Sequence, residues 1–597
     1  MGDPLRQSEI DRIIDLPSSQ GDLFAGLSED ESVEDMDYSV VDDTDSDPDF
    51  QPSDGSDEAA ENEFMVANED TDADVDNTIT TVNSTPDEGD NWHSFEGKQQ
   101  IFEFNSRPTF KFITTNDSKP IDFFEQCLNA DVIDLMVTET NRNAHDVISK
   151  LRLSRKSRLK DWRDTNPEEM KKFIGLLLYM GLVTLPRISD YWSTNALYSF
   201  SGASKVMSRN RFQLILRFWH FNDNNNLQRD GRIGKIKPLL SIINGMFFNL
   251  KEAEQDLVID ETMIPFRGRL LFRQYIPGKA HKYGIKIFKL CDKTGYTYGI
   301  KVYMGKGTVA ATDNSVATSV VMELMANHLN SGHNLYVDNY YTSVQLANSL
   351  LSRQTHLCGT LRRNRKGIPK DLTKEKIQKG EMICLENDEG VLITKWQDKR
   401  EVLMLSTVHK PEYVEIPSKN PDKPSVLKPL VVTAYNKAKV GIDLSDQMSS
   451  YSTAVRKTMR WYHKVGEELV LGTSVVNSWL AYNTFLKTKK PPNAKKKHLI
   501  SITKFKEQLA CSLMCLQETP RIPEVSRTGH HYLTSSAMVG EGAKKHRVRK
   551  VCKMCYQKLS EQRGRSVARN MTKVTTFCSV CPDKPFLCET CFKDIHK

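Results

Sequence analysis

From about residue 120 to 250 the apolar positions recur at the spacing of helices that bury one face. IDFFEQCLNADVIDLMVTETN keeps that rhythm, and TNPEEMKKFIGLLLYMG adds a start signal, with Thr165 three residues ahead of Glu168 as in a capping box. After Asp256 the pattern changes to strands. LVIDETMIPF, YGIKIFKLC and YTYGIKVYMG are β-branched and aromatic runs parted by the turn formers PGK and DKTG. A helix is expected over 314–329, with Val316, Val320, Val321, Leu324 and Met325 on one face, followed by the strand HNLYVD and the helix TSVQLANSLLSR.

The resulting order, β-β-β-α-β-α, is that of a ribonuclease H-like core. A right-handed crossover after three hairpin-connected strands makes the first and fourth strands neighbours. Asp260 lies in the first and Asp338 closes the fourth, so the two carboxylates are expected to face each other. Such a pair repels unless a divalent cation such as Mg²⁺ takes both as oxygen ligands. The other reading is that each aspartate caps a turn or a following helix. The stretch 357–427 (HLCGTLRRNRKG, EMICLEND, GVLITKWQD, EVLMLSTV) reads as a β-rich insertion, its basic LRRNRKG suited to phosphate contact. Beyond it, Asp443 and Asp446 are three apart and share a helical face, so either could complete the acidic site.

Charge divides the chain of 597 residues. Residues 1–92 carry 29 acidic and 2 basic residues, a charge of −27, while the remainder carries 48 acidic and 80 basic, a charge of +32. The first part buries too little apolar surface to order itself, and the second has the balance of a protein that neutralises phosphates. The longest apolar run, 173–183, is too short to cross a bilayer, so a soluble, intracellular protein is expected. The lysine-rich stretches 487–498 and 544–550 read as nuclear-import or DNA-contacting segments, or as solvated linkers, and a nuclear location is expected.

Six of the 12 cysteines fall in the last 46 residues as three CxxC pairs: Cys552 and Cys555, Cys578 and Cys581, Cys588 and Cys591. Thiolate pairs at this spacing fit tetrahedral Zn²⁺. With His596 they make seven ligands where two closed structural zinc sites need eight; His531 or His546 is the candidate eighth.

VIDETMIPFRGR, YIPGKAHKYGIK, YVDNYYTS, GTLRRNRKGIP and GIDLSDQM, in this order, resemble the motif series of the piggyBac transposase family, and EEMKKFIGLLLYMGL and SRNRFQLILRFWHF resemble its helical region. The resemblance implies a cut-and-paste DNA transposase whose catalytic triad falls on Asp260, Asp338 and Asp443, with Asp446 as an additional carboxylate and two catalytic Mg²⁺ ions. It assigns Arg362 and Arg365 to DNA contact and Trp461 to base stacking, against which stands a core-packing role for Trp461. It implies double-stranded DNA as partner (element ends and a TTAA target), a homodimer, and no small-molecule substrate. The fold expected is multidomain, α/β plus all-α: a disordered acidic tail (1–96), a split helical dimerisation and DNA-binding domain (105–253 and 451–540), a catalytic core in two parts (254–356 and 428–450) around the insertion (357–427), and a C-terminal cross-braced zinc domain (548–597). The alternative is a domesticated descendant that binds DNA without transposing. A zinc-dependent protein-interaction module accounts for the last 50 residues only.

Overall fold

The computed structural model describes residues 91–597 except 199–201, 228–230, 278–280, 306–314, 418–423, 455–457, 459, 490–498, 517–530, 540–545, 580, 582 and 597. Most of the acidic tail, most of 487–498 and the first two residues of 544–550 lie outside the described residues. The chain forms two compact units, one ending at Leu516 and the other running from Gln517 to Lys597.

The first unit opens with helices α1 (Pro120–Cys127), α2 (Ala130–Lys150), α3 (Pro167–Leu182), α4 (Arg209–Phe218) and α5 (Lys237–Leu250). The start of α3 differs from the expected capping box. Asn166 is the N-cap, accepting from the Glu169 N–H at 2.9 Å, and Pro167 fills the first helical position where no N–H is needed. Thr165 instead donates to the Glu169 carboxylate at 2.8 Å. A nine-stranded sheet follows, built from β1 (Asp256–Pro265), β2 (Arg273–Tyr275), β3 (Tyr283–Asp292), β4 (Thr297–Val302), β5 (Asn334–Val337), β6 (His356–Thr360), β7 (Met382–Glu386), β8 (Leu392–Gln397) and β9 (Glu401–Ser406). Its order is β2-β3-β1-β5-β6-β9-β8-β7, with β4 also on β3. β1 runs antiparallel to β3 and parallel to β5, which is parallel to β6.

The expected boundary between residues 356 and 357 therefore cuts through β6, an inner strand. His356, Leu357, Cys358 and Gly359 are all buried, as a strand covered on both faces requires. The segment read as an insertion is a continuation of the same sheet, joined where Cys358 pairs with Ser406. A separate hairpin, β10 (Tyr413–Ile416) and β11 (Val426–Pro429), leads into α8 (Leu430–Ala438) and α9 (Val440–Ser450). Period-2 alternation sorts the faces. Leu257 and Ile259 pack with Val320, Val321 and Leu346 from the crossover helices α6 (Val316–Met325) and α7 (Val344–Leu351). Val258 and Tyr336 pack with Val431, Ala438 and Ile442 of α8 and α9.

Helices α10 (Trp461–Glu467), α11 (Ser474–Thr488) and α12 (Ile502–Leu513) return to the first helical segment. One buried cluster joins Phe124, Ile174 and Phe212 to Val465, Val475, Phe505 and Leu509, so the two halves of the helical region share a core. Order also begins earlier than residue 97. His93 bridges to Glu386, the N–H groups of Glu96 and Gly97 each donate to the Glu386 carboxylate at 2.9 Å, and Phe102 lies on His356.

The second unit is built from short antiparallel pairs, with helices α13 (Lys553–Arg563) and α14 (Glu589–Ile595). Leu533–Ser535 pairs with Thr576–Cys578, so residues 533–535 belong to this unit rather than to the helical region that was expected to run to 540. No helix among the described residues is long and apolar enough to cross a membrane.

Candidate active site and zinc centres

The register of β1 against β5 brings the first two aspartates together. Val258 pairs with Tyr336 and Ile259 with Val337, so the next positions are Asp260 and Asp338, on the face that α8 and α9 cover. Gly441 lets α9 lie close to the end of β3: a Cβ there would stand 2.9 Å from the Asp292 carbonyl carbon and closer still to its oxygen. Asp443 thereby enters from the first turn of α9. A cavity of about 150 Å³ is lined by Asp260, Asp338 and Asp443 together with Tyr435 and Lys439.

Carboxylate oxygens of Asp260, Glu261 and Asp338 lie within 4.8 Å of one another, while Asp443 lines the cavity outside that group. Burial, then Glu261 and Asp338, push the Asp260 carboxyl up to about 8. Burial and Glu261 also raise Asp338, offset in part by the Tyr340 N–H, Lys286 and Arg362. Crowded, half-buried carboxylates repel one another, and the neighbouring cations offset this only in part. The turn-capping reading of Asp338 holds as well, since its carboxylate accepts the Tyr340 N–H at 2.9 Å. It does not cap the following helix, α7, whose N-cap is Ser343. Glu261 was not singled out from the sequence; its adjacency to Asp260 was the available signal.

Four expected site residues are engaged within the protein. Asp446 shares a helical face with Asp443, but its Oδ1 accepts from Thr262 at 2.9 Å and from the fully buried Lys289 ammonium at 3.0 Å. Lys289 also donates to Glu468 at 3.3 Å, and Glu468 accepts from Ser449 and Thr473. Burial pulls the Lys289 pKa down, and Asp446 and Glu468 more than reverse it. Glu468 opens a π-helical turn, Glu468–Thr473, between α10 and α11. Asp446 is thus an anchor of α9 within a buried ion network. Trp461 is only 9 % exposed and meets Phe272 edge-on at 5.2 Å, so it is a core residue and not a base-stacking platform. Arg362 donates to the Asn339 side chain at 3.2 Å, and Arg365 donates to the carbonyls of Asn339, at 3.0 Å, and Tyr340. Both guanidinium groups hold the turn that follows Asp338.

In the second unit two ligand groups form. Cys552, Cys555, Cys588 and Cys591 make one; His531, Cys578, Cys581 and His596 make the other. Cys555 Sγ lies 3.4 Å from Cys591 Sγ and 3.8 Å from Cys588 Sγ, near the edge of about 3.7 Å that a tetrahedron with Zn–S bonds of about 2.3 Å has. His531 Nδ1 lies 3.4 Å from Cys578 Sγ and 3.5 Å from Cys581 Sγ, with His596 Nε2 3.6 Å from Cys581 Sγ. Ligands of the two sites alternate along the chain, which is a cross-brace. His531 therefore takes the place of the eighth candidate ligand. His546 lies in a two-residue strand and joins neither group. The soft thiolate and imidazole donors fit Zn²⁺.

A mixed α/β core that gathers carboxylates on adjacent strands, followed by a cysteine-rich finger, defines a transposase, and comparison with known proteins agrees. The family model described as Transposase IS4 matches residues 119–479, and the one described as a DDE_Tnp_1-like zinc finger matches 540–597. The chain belongs to the piggyBac transposase family. It is 26 % identical over 382 residues to human PiggyBac transposable element-derived protein 3, covering 61 % of each chain, and 25 % identical over 392 residues to human PiggyBac transposable element-derived protein 2, covering 63 % of each. The aligned stretch thus spans under two-thirds of either relative. A piggyBac transposase in a cryo-EM synaptic complex with hairpin DNA superposes with a TM-score of 0.58 at 27 % identity, covering 68 % of this chain and 83 % of that one.

Proposed function

We propose that this chain is a Mg²⁺-dependent cut-and-paste DNA transposase that excises an element by phosphodiester hydrolysis and transesterification and inserts it at TTAA. The observation that carries this reading is the convergence of Asp260, Asp338 and Asp443 on one cavity. The strand order β4-β3-β1-β5-β6, antiparallel and then parallel, supports a ribonuclease H-like core beneath it. An all-carboxylate donor set suits a hard divalent cation with oxygen coordination, so the residues fit Mg²⁺. When bound there, Mg²⁺ supplies the acidity and charge neutralisation that in-line displacement at phosphorus needs.

The protein's own groups then have distinct tasks. Asp260, Asp338 and Asp443 would hold the cation, and the Lys289 network fixes the helix that carries Asp443. Arg362 and Arg365 keep the turn after Asp338 in place, while the net charge of +32 carried by residues 93–597 attracts the DNA backbone. The order of events in the family, nicking, hairpin formation by the freed 3′-hydroxyl, hairpin opening and strand transfer, is carried over to this chain, as are a homodimeric synapse and a nuclear location. The solved relative's hairpin DNA supports the second of those steps. In this reading the zinc domain reads the element's terminal repeats. A second reading, a domesticated DNA-binding descendant, is favoured by the human relatives, whose names mark them as transposable element-derived.

The test is to select bound sequences from a random duplex pool with the purified full chain, join them to TTAA, and look for Mg²⁺-dependent strand cleavage. Sequence-selective binding without cleavage by the wild-type chain is the outcome that leaves the second reading standing.

A further inference from the structure

Two metal ions between three aspartates leave few protein oxygens per ion, and the obvious fourth carboxylate, Asp446, has one oxygen committed to Thr262 and Lys289. Glu261 is better placed. Strand alternation turns its Cβ away from that of Asp260, but β5 ends at Val337, so beyond Ile259 no paired strand flanks that edge of β1. This leaves room for the longer glutamate side chain, and its carboxylate lies within 4.8 Å of those of both Asp260 and Asp338, a group that Asp443 does not join. Its backbone N–H donates to Asp260 at 2.8 Å, which ties the two residues' positions together.

We propose that Glu261 is a further ligand of the divalent cation at the Asp260–Asp338 end of the cavity, in the part that the family resemblance gives to Asp446. This rests on the metal-dependent function proposed above. Glu261 acts on the cation and Asp446 on the position of α9.

Calorimetric titration of the full-length chain with Mn²⁺, without DNA, tests the assignment apart from activity. Glu261→Gln is expected to weaken Mn²⁺ binding about tenfold or more, in the range that supporting groups of metal sites command, and Asp446→Asn by less than about threefold. Glu261→Asp, which keeps the charge but withdraws the oxygen by one methylene, should also bind more weakly. Thermal unfolding confirms that each variant is folded. An affinity for Glu261→Gln within about twofold of wild type, well short of a ligand's contribution, overturns the proposal. So does a wild-type affinity in Glu261→Asp, which would make Glu261 a source of field alone, or a loss in Asp446→Asn as large as that in Glu261→Gln. Absence of Mn²⁺ binding by the wild-type chain overturns the metal-dependent function itself, and is thereby distinguished from a failure of Glu261 alone.

Discussion

Replacing Gly441 with alanine probes how the third aspartate is positioned. The added Cβ would stand 2.9 Å from the Asp292 carbonyl carbon, whereas ordinary contact begins at 3.4 Å, and the carbonyl oxygen is closer still. The obstacle is backbone at the end of β3, so it cannot rotate aside. Clearing the carbonyl oxygen requires α9 to retreat by about 1 Å, and a misplacement of about 1 Å at a reacting centre costs roughly a hundredfold in rate. Asp443 is two residues along and moves with the helix. Gly441→Ala is therefore expected to lower strand-cleavage rate about 10- to 100-fold, with a stability loss of about 1–3 kcal/mol from overpacking. Gly245, on α5, is the control: its Cβ would meet nothing within 4 Å, so Gly245→Ala should leave the rate unchanged. Single-turnover cleavage on selected DNA reads the rate, calorimetry the stability, and filter binding the DNA affinity. A wild-type rate in Gly441→Ala refutes the positioning argument, and an equal loss of DNA binding would mean general unfolding instead.

The Asp260 carboxyl, held up to about 8 without metal, carries a proton that an incoming cation must displace, so Mn²⁺ affinity should rise with pH up to about 8 and level off above it. By the same sign, a carboxyl whose folded pKa is raised makes the metal-free fold lose stability as pH climbs from the ordinary carboxylate range through about 8, and thermal melts with and without Mg²⁺ should show this loss only without it. Changing Cys578 and Cys581 to serine should remove at least one zinc per chain and unfold the C-terminal unit alone, because the metal supplies its core; plasma mass spectrometry and a retained main melting transition check this. Deleting residues 1–90 should raise affinity for random duplex most at low salt, where the tail's acidic charge is least screened, and an unchanged salt titration would count against competition by the tail.

The adjacency of Asp260 and Asp338 was legible because it follows from short-range rules: period-2 strands, turn formers between them, and one right-handed crossover. What escaped the sequence depends on long-range partners. Asp446 and Asp443 look equivalent three residues apart, and only the cross-strand position of Lys289 opposite Asp260 decides that one of them anchors the helix. Glu261 carries no sequence signal beyond its place next to Asp260, and alternation puts its Cβ on the other face of the strand. Trp461 reads as exposed or buried with equal ease until Phe272, from a separate strand region, covers it. The second zinc centre draws His531 from 47 residues before Cys578, a separation that no ligand spacing encodes, whereas the CxxC pairs are local and were plain. The ordered start near His93 likewise depends on Glu386, nearly 300 residues away in sequence.

Whether the aspartates on this sheet cut DNA with a divalent cation is decided by a cleavage assay on selected terminal sequences flanked by TTAA, comparing wild type with Asp338→Ala at equal DNA occupancy. The wild-type chain is predicted to release a 3′-hydroxyl at the junction in the presence of Mg²⁺. Asp338→Ala, which keeps the fold and the phosphate contacts but loses a cation ligand, is predicted to bind the same DNA and leave it intact. Cleavage by Asp338→Ala at a rate near wild type, or wild-type cleavage that persists in excess chelator, would contradict the account.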